Sequence, residues 1–173
     1  MKNMTKLFAI VVVILGFSAT SFAQNSADGT ALAVIQPGIT IATGANLDFA
    51  TIVLHGTAGT VEVSPLGVRI TDLTTSGSVT AATFTVSGDI DETYTITTIA
   101  DCIVSDGNDH FMDVTDFTSV PDFGVGAGVL DHDTGLQTIK VGATLNVDAN
   151  QAAGSYSTAN EGGSPFEVTV TYN

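Results

Sequence analysis

The sequence predicts an all-β fold, an antiparallel β-sandwich, and three observations support this. Apolar and polar side chains alternate along several segments, as in strands with one buried and one solvated face. Turn-forming residues interrupt these segments at short intervals, for example at Pro37-Gly38 and Gly88-Asp89. No segment after residue 23 shows a sustained helical period, and threonine is abundant where helices favour alanine, leucine or glutamate.

The first 23 residues have the pattern of a secretory signal peptide. Lys2 and Lys6 flank the start, residues 7–17 are almost wholly apolar, and Ser21-Phe22-Ala23 forms a small-x-small cleavage site. A membrane anchor is the alternative, but the apolar run is shorter than the roughly 20 residues that span a bilayer. We therefore expect cleavage after Ala23 and a single domain over residues 24–173, with an N-terminal extension at 24–35.

The candidate strands follow in chain order. They are residues 31–35, 39–43, 47–54, 60–63, 68–73, 83–87, 94–99, 111–117, 138–147 and 166–173. The glycine-rich stretch 124–128 is predicted as a loop, because it matches neither GxGxxG nor a phosphate-binding loop. The sequence ends within the last candidate strand, which predicts an open sheet edge that favours pairing with another polypeptide.

Residues 148–156 follow a strand and end in Gly-x-Tyr, a pattern like the tyrosine corner of immunoglobulin-type sandwiches. In that motif the phenol bonds back to upstream backbone, so Tyr156 is expected to be structural. The alternative is an exposed aromatic residue that contacts a partner. This pattern favours an immunoglobulin-like version of the sandwich.

Charge and cysteine content limit the partners of the protein. The formal charge is −14, and loss of the signal peptide leaves only Arg69 and Lys140 against 18 carboxylates, a charge of −16. Phosphate backbones and anionic lipids would repel such a surface, so we expect neither nucleic-acid nor peripheral membrane binding. Cys102 is the only cysteine, which rules out an intrachain disulfide. A buried, inert thiol is expected there, rather than a reactive or intermolecularly paired one.

Catalytic motifs are weak, and we predict no enzymatic activity and no catalytic residue. Asp133-Thr134-Gly135 matches the aspartic-protease triplet, but a dyad needs a second copy and the sequence has none. The residues His55, His110 and His132 show no HxxxH or HExxH spacing. No serine lies in a Gly-x-Ser-x-Gly elbow.

An aspartate-rich region is the one candidate for metal binding. Its oxygen ligands at short spacing suit Ca²⁺, and the candidates are Asp106, Asn108, Asp109 and Asp113. The spacing does not fit an EF-hand, and we favour a solvated acidic loop with no cofactor. The alternative function that this region supports is a monomeric secreted module that holds Ca²⁺ or a glycan.

Several segments together resemble the bacterial family called domain of unknown function 4402. The segments are 47–53, 59–65, 81–88, 94–97, 141–147 and the closing Phe-x-Val-Thr-Val-Thr-Tyr-Asn. That family is similar to spore coat protein U and to subunits of archaic chaperone-usher pili. The resemblance implies an incomplete immunoglobulin-like sandwich, whose groove is filled first by a periplasmic chaperone and then by the N-terminal extension of the next subunit.

The resemblance also implies which residues would pair. The donor strand would lie in residues 24–35, with Ala31, Leu32, Ala33, Val34 and Ile35 at its centre. The acceptor edge would be formed by Phe166, Val168, Val170 and Tyr172. Two registers are open, with either Leu32 and Val34 or Ala31, Ala33 and Ile35 pointing inwards, and the first fills more volume.

The expected function is that of a structural subunit of the surface or fimbriae of a Gram-negative bacterium, exported through the periplasm and active in cell adhesion. It would assemble by donor-strand β-augmentation. Its partners would be copies of itself or related subunits, together with a periplasmic chaperone and an outer-membrane usher. No transmembrane span is expected after signal cleavage.

Overall fold

The computed structural model describes residues 26–98 and 101–173. It divides into two compact units, Met1–Ile35 and Gln36–Asn173. In the first unit only residues 26–35 are described, and they are exposed and carry no strand. The expected signal peptide, residues 1–23, lies outside the described residues. In the second unit the described residues form strands and no helix, which confirms the all-β, antiparallel β-sandwich prediction.

Twelve strands form among the described residues. They are β1 (Thr40–Thr43), β2 (Thr51–Val53), β3 (Gly59–Val63), β4 (Arg69–Thr71), β5 (Thr74–Ser76), β6 (Ala82–Ser87), β7 (Thr93–Thr98), β8 (Cys102–Ser105), β9 (Phe111–Val120), β10 (Gly124–Val129), β11 (Leu136–Val147) and β12 (Val168–Tyr172). The first sheet has the order β1-β6-β11-β3-β4, with β9 also paired to β11 and β8 to β9. The second sheet has the order β10-β7-β12, and β2 pairs with β5 in a small ribbon.

The long strand β11 organises the first sheet. Its residues 136–141 pair with β6, its residues 143–147 pair with β3, and β9 pairs along residues 140–145. Gly142 separates the first two pairings. A Cβ atom there would lie 2.1 Å from the carbonyl oxygen of Val63, so only glycine allows this close approach.

Two clusters of buried side chains make up the core. The first lies between β6 and β11 of the first sheet and the second sheet, and contains Val86, Tyr94, Ile96, Leu130, Ile139, Val141 and Val168 among others. The second lies on β3, β8, β9 and the end of β11, and contains Val61, Cys102, Met112, Val114, Ala143, Leu145 and Val147. The side chains packed against this second cluster come mainly from loops and the β2–β5 ribbon, not from the second sheet.

Three sequence predictions need correction. Residues 31–35 form no strand. Of residues 47–54, only Thr51–Val53 form a strand. The stretch 124–128, predicted as a loop, is part of β10 and pairs with β7 across a bulge. Gly128 is needed there because a Cβ atom would lie 2.2 Å from Cζ of Tyr94.

Candidate functional site

The last strand, β12, has one paired edge and one open edge. It pairs with β7 from Val168 opposite Thr98 to Tyr172 opposite Tyr94. Within the described residues no strand is hydrogen-bonded to its other edge. The main-chain donors and acceptors along that edge are available to an added strand.

The side chains of β12 alternate as the sequence predicts. Val168 is buried, Val170 and Tyr172 are half-buried, and the two threonines between them are exposed. Phe166, expected on the same edge, lies just before the strand begins. Three of the four predicted acceptor residues therefore share the inner face of β12.

Tyr172 fixes the end of β12 to the turn between β6 and β7. Its hydroxyl oxygen accepts a hydrogen bond of 2.7 Å from the backbone N–H of Asp89. A Cβ atom on Gly88 would lie 2.2 Å from the same oxygen, so the turn packs tightly against the phenol. The inner face of β12 is anchored at this end.

Phe166 lies where the two core clusters meet, and it packs against both. Its ring is 4.9 Å from that of Phe117 and 6.1 Å from that of Phe84, the latter in an edge-to-face arrangement. Phe166 therefore joins the β12 edge to the space over the second cluster.

That space is a cleft of about 1160 Å³. One wall is formed by residues 43–54 and the other by residues 151–159 with Pro165 and Phe166. The floor is apolar and consists of Phe84, Cys102, Val104, Met112, Val114, Leu145 and Val147. Of the floor side chains, Phe84 and Val104 are half-buried and the other five are buried. Loops and the β2–β5 ribbon, rather than the second sheet, pack against this part of the core.

A tyrosine corner holds the second wall of the cleft. The Tyr156 hydroxyl donates a hydrogen bond of 2.8 Å to the carbonyl oxygen of Ala152 and accepts one of 2.8 Å from Nε2 of Gln151. The same Nε2 atom donates to the carbonyl oxygen of Phe111. The predicted structural role of Tyr156 is confirmed.

Cys102 lies on the cleft floor and is buried, as the sequence predicts. Burial raises the pKa of its thiol to about 11, although a backbone hydrogen bond at Phe166 acts in the opposite direction. At neutral pH the thiol is protonated and therefore a poor nucleophile.

The predicted donor residues are exposed. The exposed fractions of the side chains are 91% for Leu32, 90% for Val34 and 94% for Ile35. These three large apolar side chains lie within four consecutive residues that form no strand. We call residues 31–35 the apolar segment below.

The predicted Ca²⁺ ligands are not gathered into one site. Asp106 uses its Oδ1 atom to accept hydrogen bonds from the backbone N–H groups of Asn108 and His110, and its Oδ2 atom lies 2.8 Å from Nδ1 of His110. Asp113 is exposed on β9, and Asp109 borders a separate depression of about 500 Å³ whose other carboxylate is Asp148. Among the described residues no group of three His, Cys, Asp or Glu side chains could hold a metal ion.

The Asp133-Thr134-Gly135 triplet forms part of a tight turn. Oδ1 of Asp131 accepts hydrogen bonds from the backbone N–H groups of Asp133 and Thr134 and from the Thr134 hydroxyl. The Thr134 bonds, followed by the Asp133 amide, lower the pKa of Asp131. The carboxylate thus serves to close the turn between β10 and β11.

The fold and the site together define an antiparallel β-sandwich with an open edge on β12 and a cleft with an apolar floor over the second core cluster. The family model for a domain of unknown function, DUF4402, matches residues 39–172, so the chain belongs to that family, as the sequence motifs indicate. No curated protein and no solved structure matches the chain significantly.

Proposed function

We propose that this protein is an exported structural subunit of the bacterial surface or of fimbriae that assembles by strand addition. The observation that supports this most strongly is that β12 has an open edge and that an apolar-floored cleft includes Phe166, two residues before this strand begins. Strand addition needs main-chain groups for hydrogen bonds and pockets for alternate side chains. The open edge of β12 would supply the main-chain groups, and the cleft that includes Phe166 would supply the pockets.

The energetics favour an apolar strand as the ligand. Full burial of a Leu or Val side chain contributes roughly 1.5–3 kcal/mol, so two or three such side chains in the cleft give a substantial gain. The main-chain hydrogen bonds along β12 add specificity for an extended conformation. The exposed apolar segment supplies side chains of this kind.

Assembly by strand addition implies accessory proteins that protect the groove until the next subunit arrives. An open groove that waits for its strand exposes apolar surface, which favours aggregation. A periplasmic chaperone that fills the groove and an outer-membrane usher that orders the exchange belong to this proposal.

Export itself rests on the sequence of residues 1–23, and intact-mass measurement of the exported protein should give a chain that begins at Gln24. No helix in the described residues is long and apolar enough to cross a membrane.

Removal of residues 24–35 tests the function. We expect the full-length mature protein to form polymers, and the truncated protein to remain folded, lose polymers and bind a synthetic peptide of residues 26–36. Light scattering after size-exclusion chromatography measures the mass, and a thermal melt measures stabilisation by the peptide. Val34→Asp should also prevent polymerisation, because an unpartnered charge in an apolar groove costs several kcal/mol.

The proposal is wrong if the full-length protein is already a stable monomer, and if the truncated protein gains no thermal stability from the peptide. A peptide with Leu32 and Val34 both changed to Asp is the matched control. It should neither bind nor stabilise the truncated protein.

A further inference from the structure

We propose that the depression at the start of β9 binds a neutral saccharide. It has a volume of about 500 Å³ and lies between residues 109–111 and the loop at residues 148–152, which follows β11. Small-molecule sites are concave, have volumes of roughly 300–1,000 Å³, and combine apolar surface with a few convergent polar groups. The depression contains no residue of β12, and its use as a binding site does not depend on strand addition.

Three polar side chains of the depression have no partner of their own. The carboxylates of Asp109 and Asp148 and the amide of Asn150 are exposed, and among the described residues they make no side-chain hydrogen bond or ion pair. Carboxylate oxygens accept hydrogen bonds, and an amide both donates and accepts them. Each hydroxyl group of a saccharide is a donor and an acceptor, so these three side chains can bind several hydroxyl groups at once.

His110 is oriented by a buried carboxylate. Its Nδ1 atom lies 2.8 Å from Oδ2 of Asp106, whose side chain is only 6% exposed, whereas the side chain of His110 is 49% exposed. Oδ1 of Asp106 also accepts a hydrogen bond from the backbone N–H of His110. Because the carboxylate holds Nδ1, Nε2 is the ring nitrogen that remains for a ligand.

Phe111 supplies an aromatic surface at a fixed position. Its side chain is 44% exposed, and a Cβ atom on Gly162 would lie 2.5 Å from its Cε1 atom, so the ring packs closely on that glycine. The carbonyl oxygen of Phe111 accepts a hydrogen bond from Nε2 of Gln151, which also donates to the Tyr156 hydroxyl. The tyrosine corner thus joins the two sides of the depression. The apolar C–H face of a sugar ring can pack on this rigid aromatic surface.

The mixture of groups favours a neutral saccharide over other ligands. The predicted mature chain has a charge of −16, which repels anionic saccharides. A metal ion is not favoured, since no group of three His, Cys, Asp or Glu side chains in the described ranges could hold one. An organic cation would pair with the two carboxylates but leave the N–H donors of Asn150 unused. A saccharide uses the carboxylates, the amide and the aromatic ring together.

The experiment compares the wild-type full-length mature protein with Asp109→Asn, Asp148→Asn and Phe111→Leu. The matched control is Asp133→Asn, which removes an exposed carboxylate outside the depression. The probes are an array of neutral oligosaccharides that end in glucose, galactose, mannose or N-acetylglucosamine, and sialylated ones for comparison. Isothermal titration calorimetry then measures the affinity of the strongest binder, and thermal melts show whether each variant is folded.

We expect a neutral saccharide to bind and the sialylated probes to bind more weakly. Asp109→Asn and Asp148→Asn should each weaken binding roughly tenfold, because a charged acceptor becomes a neutral group. Phe111→Leu should weaken it as well, since the aromatic face is lost, and Asp133→Asn should leave it unchanged. A neutral ligand should also bind equally well in sodium chloride of about 0.01 and 0.15 M.

Three outcomes would overturn the inference. The first is that no saccharide of the array binds at millimolar concentration, and the second is that Asp109→Asn and Asp148→Asn bind as well as Asp133→Asn does. The third is that spermidine binds through these two carboxylates while no neutral saccharide does, which would make the depression a site for organic cations. The proposed function is tested separately. A monomeric protein that binds a saccharide would reject strand addition alone, and a polymer that binds none would reject only this inference.

Discussion

At the scale of single residues, an exposed ion pair joins two turns of the sandwich. Nδ1 of His132, in the turn before β11, lies 2.6 Å from Oδ2 of Asp91, in the turn before β7. The hydrogen bond to Asp91 and the charge of that carboxylate raise the pKa of His132. Asp91 has a φ angle of +60°, so its backbone is in the left-handed region. Aspartate tolerates this region better than most residues do.

The pairing of His132 with Asp91 predicts how the His132 imidazole titrates. The pKa of His132 should lie above the ordinary value of about 6.5, and Asp91→Asn should bring it back towards that value. Because the folded pKa is raised, the stabilisation is fully present below the unfolded pKa and is lost as the pH rises through the folded pKa. NMR titration of the imidazole protons checks both statements. An unchanged His132 titration in Asp91→Asn would contradict them.

The role of Asp106 leads to a prediction about Ca²⁺. Burial acts to raise the pKa of this carboxyl, but hydrogen bonds from the Asn108 amide and from His110 outweigh it and lower the pKa. Its oxygens are thus already used within the β8–β9 turn. We expect millimolar Ca²⁺ to change the melting temperature little. A true site would add about 2.7 kcal/mol to the free energy of unfolding when the Ca²⁺ concentration is about 100 times its Kd. A rise of several degrees that a chelator removes would show that the carboxylates of this region bind the ion.

At the scale of elements, β12 has one face in the core and one in solvent, and one substitution on each face distinguishes the two. Val168 is buried in the first cluster, while its neighbour Thr169 is exposed. Val168→Asp buries an unpartnered charge at a cost of several kcal/mol, a large share of the roughly 5–15 kcal/mol that stabilises a domain. Urea denaturation should show Val168→Asp largely unfolded and Thr169→Asp close to wild type. Equal stability of the two variants would contradict the assigned faces of β12.

The sequence predicted best those strands whose two faces meet different environments. Strands β11 and β12 alternate clearly because one side of each packs on the core, and the local Gly-x-Tyr pattern was enough to predict the role of Tyr156. The short strand β8 was missed, since both of its end residues are buried and its middle residues are half-buried, which leaves no alternation. The glycines of β10 favour a loop in the sequence, whereas in the fold Gly128 packs against Tyr94, a long-range contact that no local pattern reveals.

The cleft could be predicted only in part. The inner-face residues Val168, Val170 and Tyr172 follow from the alternation of one strand. The cleft walls come from residues 43–54 and 151–166, which lie about a hundred residues apart in the sequence and meet only in the folded chain. Neither stretch has a sequence pattern that by itself indicates a binding surface. The alternation along β12 could therefore be predicted from the sequence, and the cleft could not.

At the scale of the whole molecule, the large negative charge should make any association between copies depend on ionic strength. The predicted mature chain carries 18 carboxylates and only Arg69 and Lys140 as permanent cations, a formal charge of −16. Neither cation forms an ion pair with a carboxylate among the described residues, where the ion pairs are those of His110 and His132. Two copies of the chain that approach one another should therefore repel electrostatically. Salt screens this repulsion, since the Debye length falls from about 30 Å at 0.01 M to about 10 Å at 0.1 M.

If assembly proceeds by strand addition between copies, its rate should rise with ionic strength, because the barrier to encounter is electrostatic while the cleft contacts are apolar. The peptide of residues 26–36 is a matched control, since Asp28 is its only charged side chain and it meets the same cleft without the charge of a second body. Light scattering of the full-length protein in sodium chloride from about 0.01 to 0.15 M should show faster growth at higher salt. Stopped-flow binding of the peptide to the truncated protein should change far less over the same range. Growth that slows with salt, or peptide binding as salt-dependent as growth, would show that the encounter is not limited by repulsion between acidic subunits.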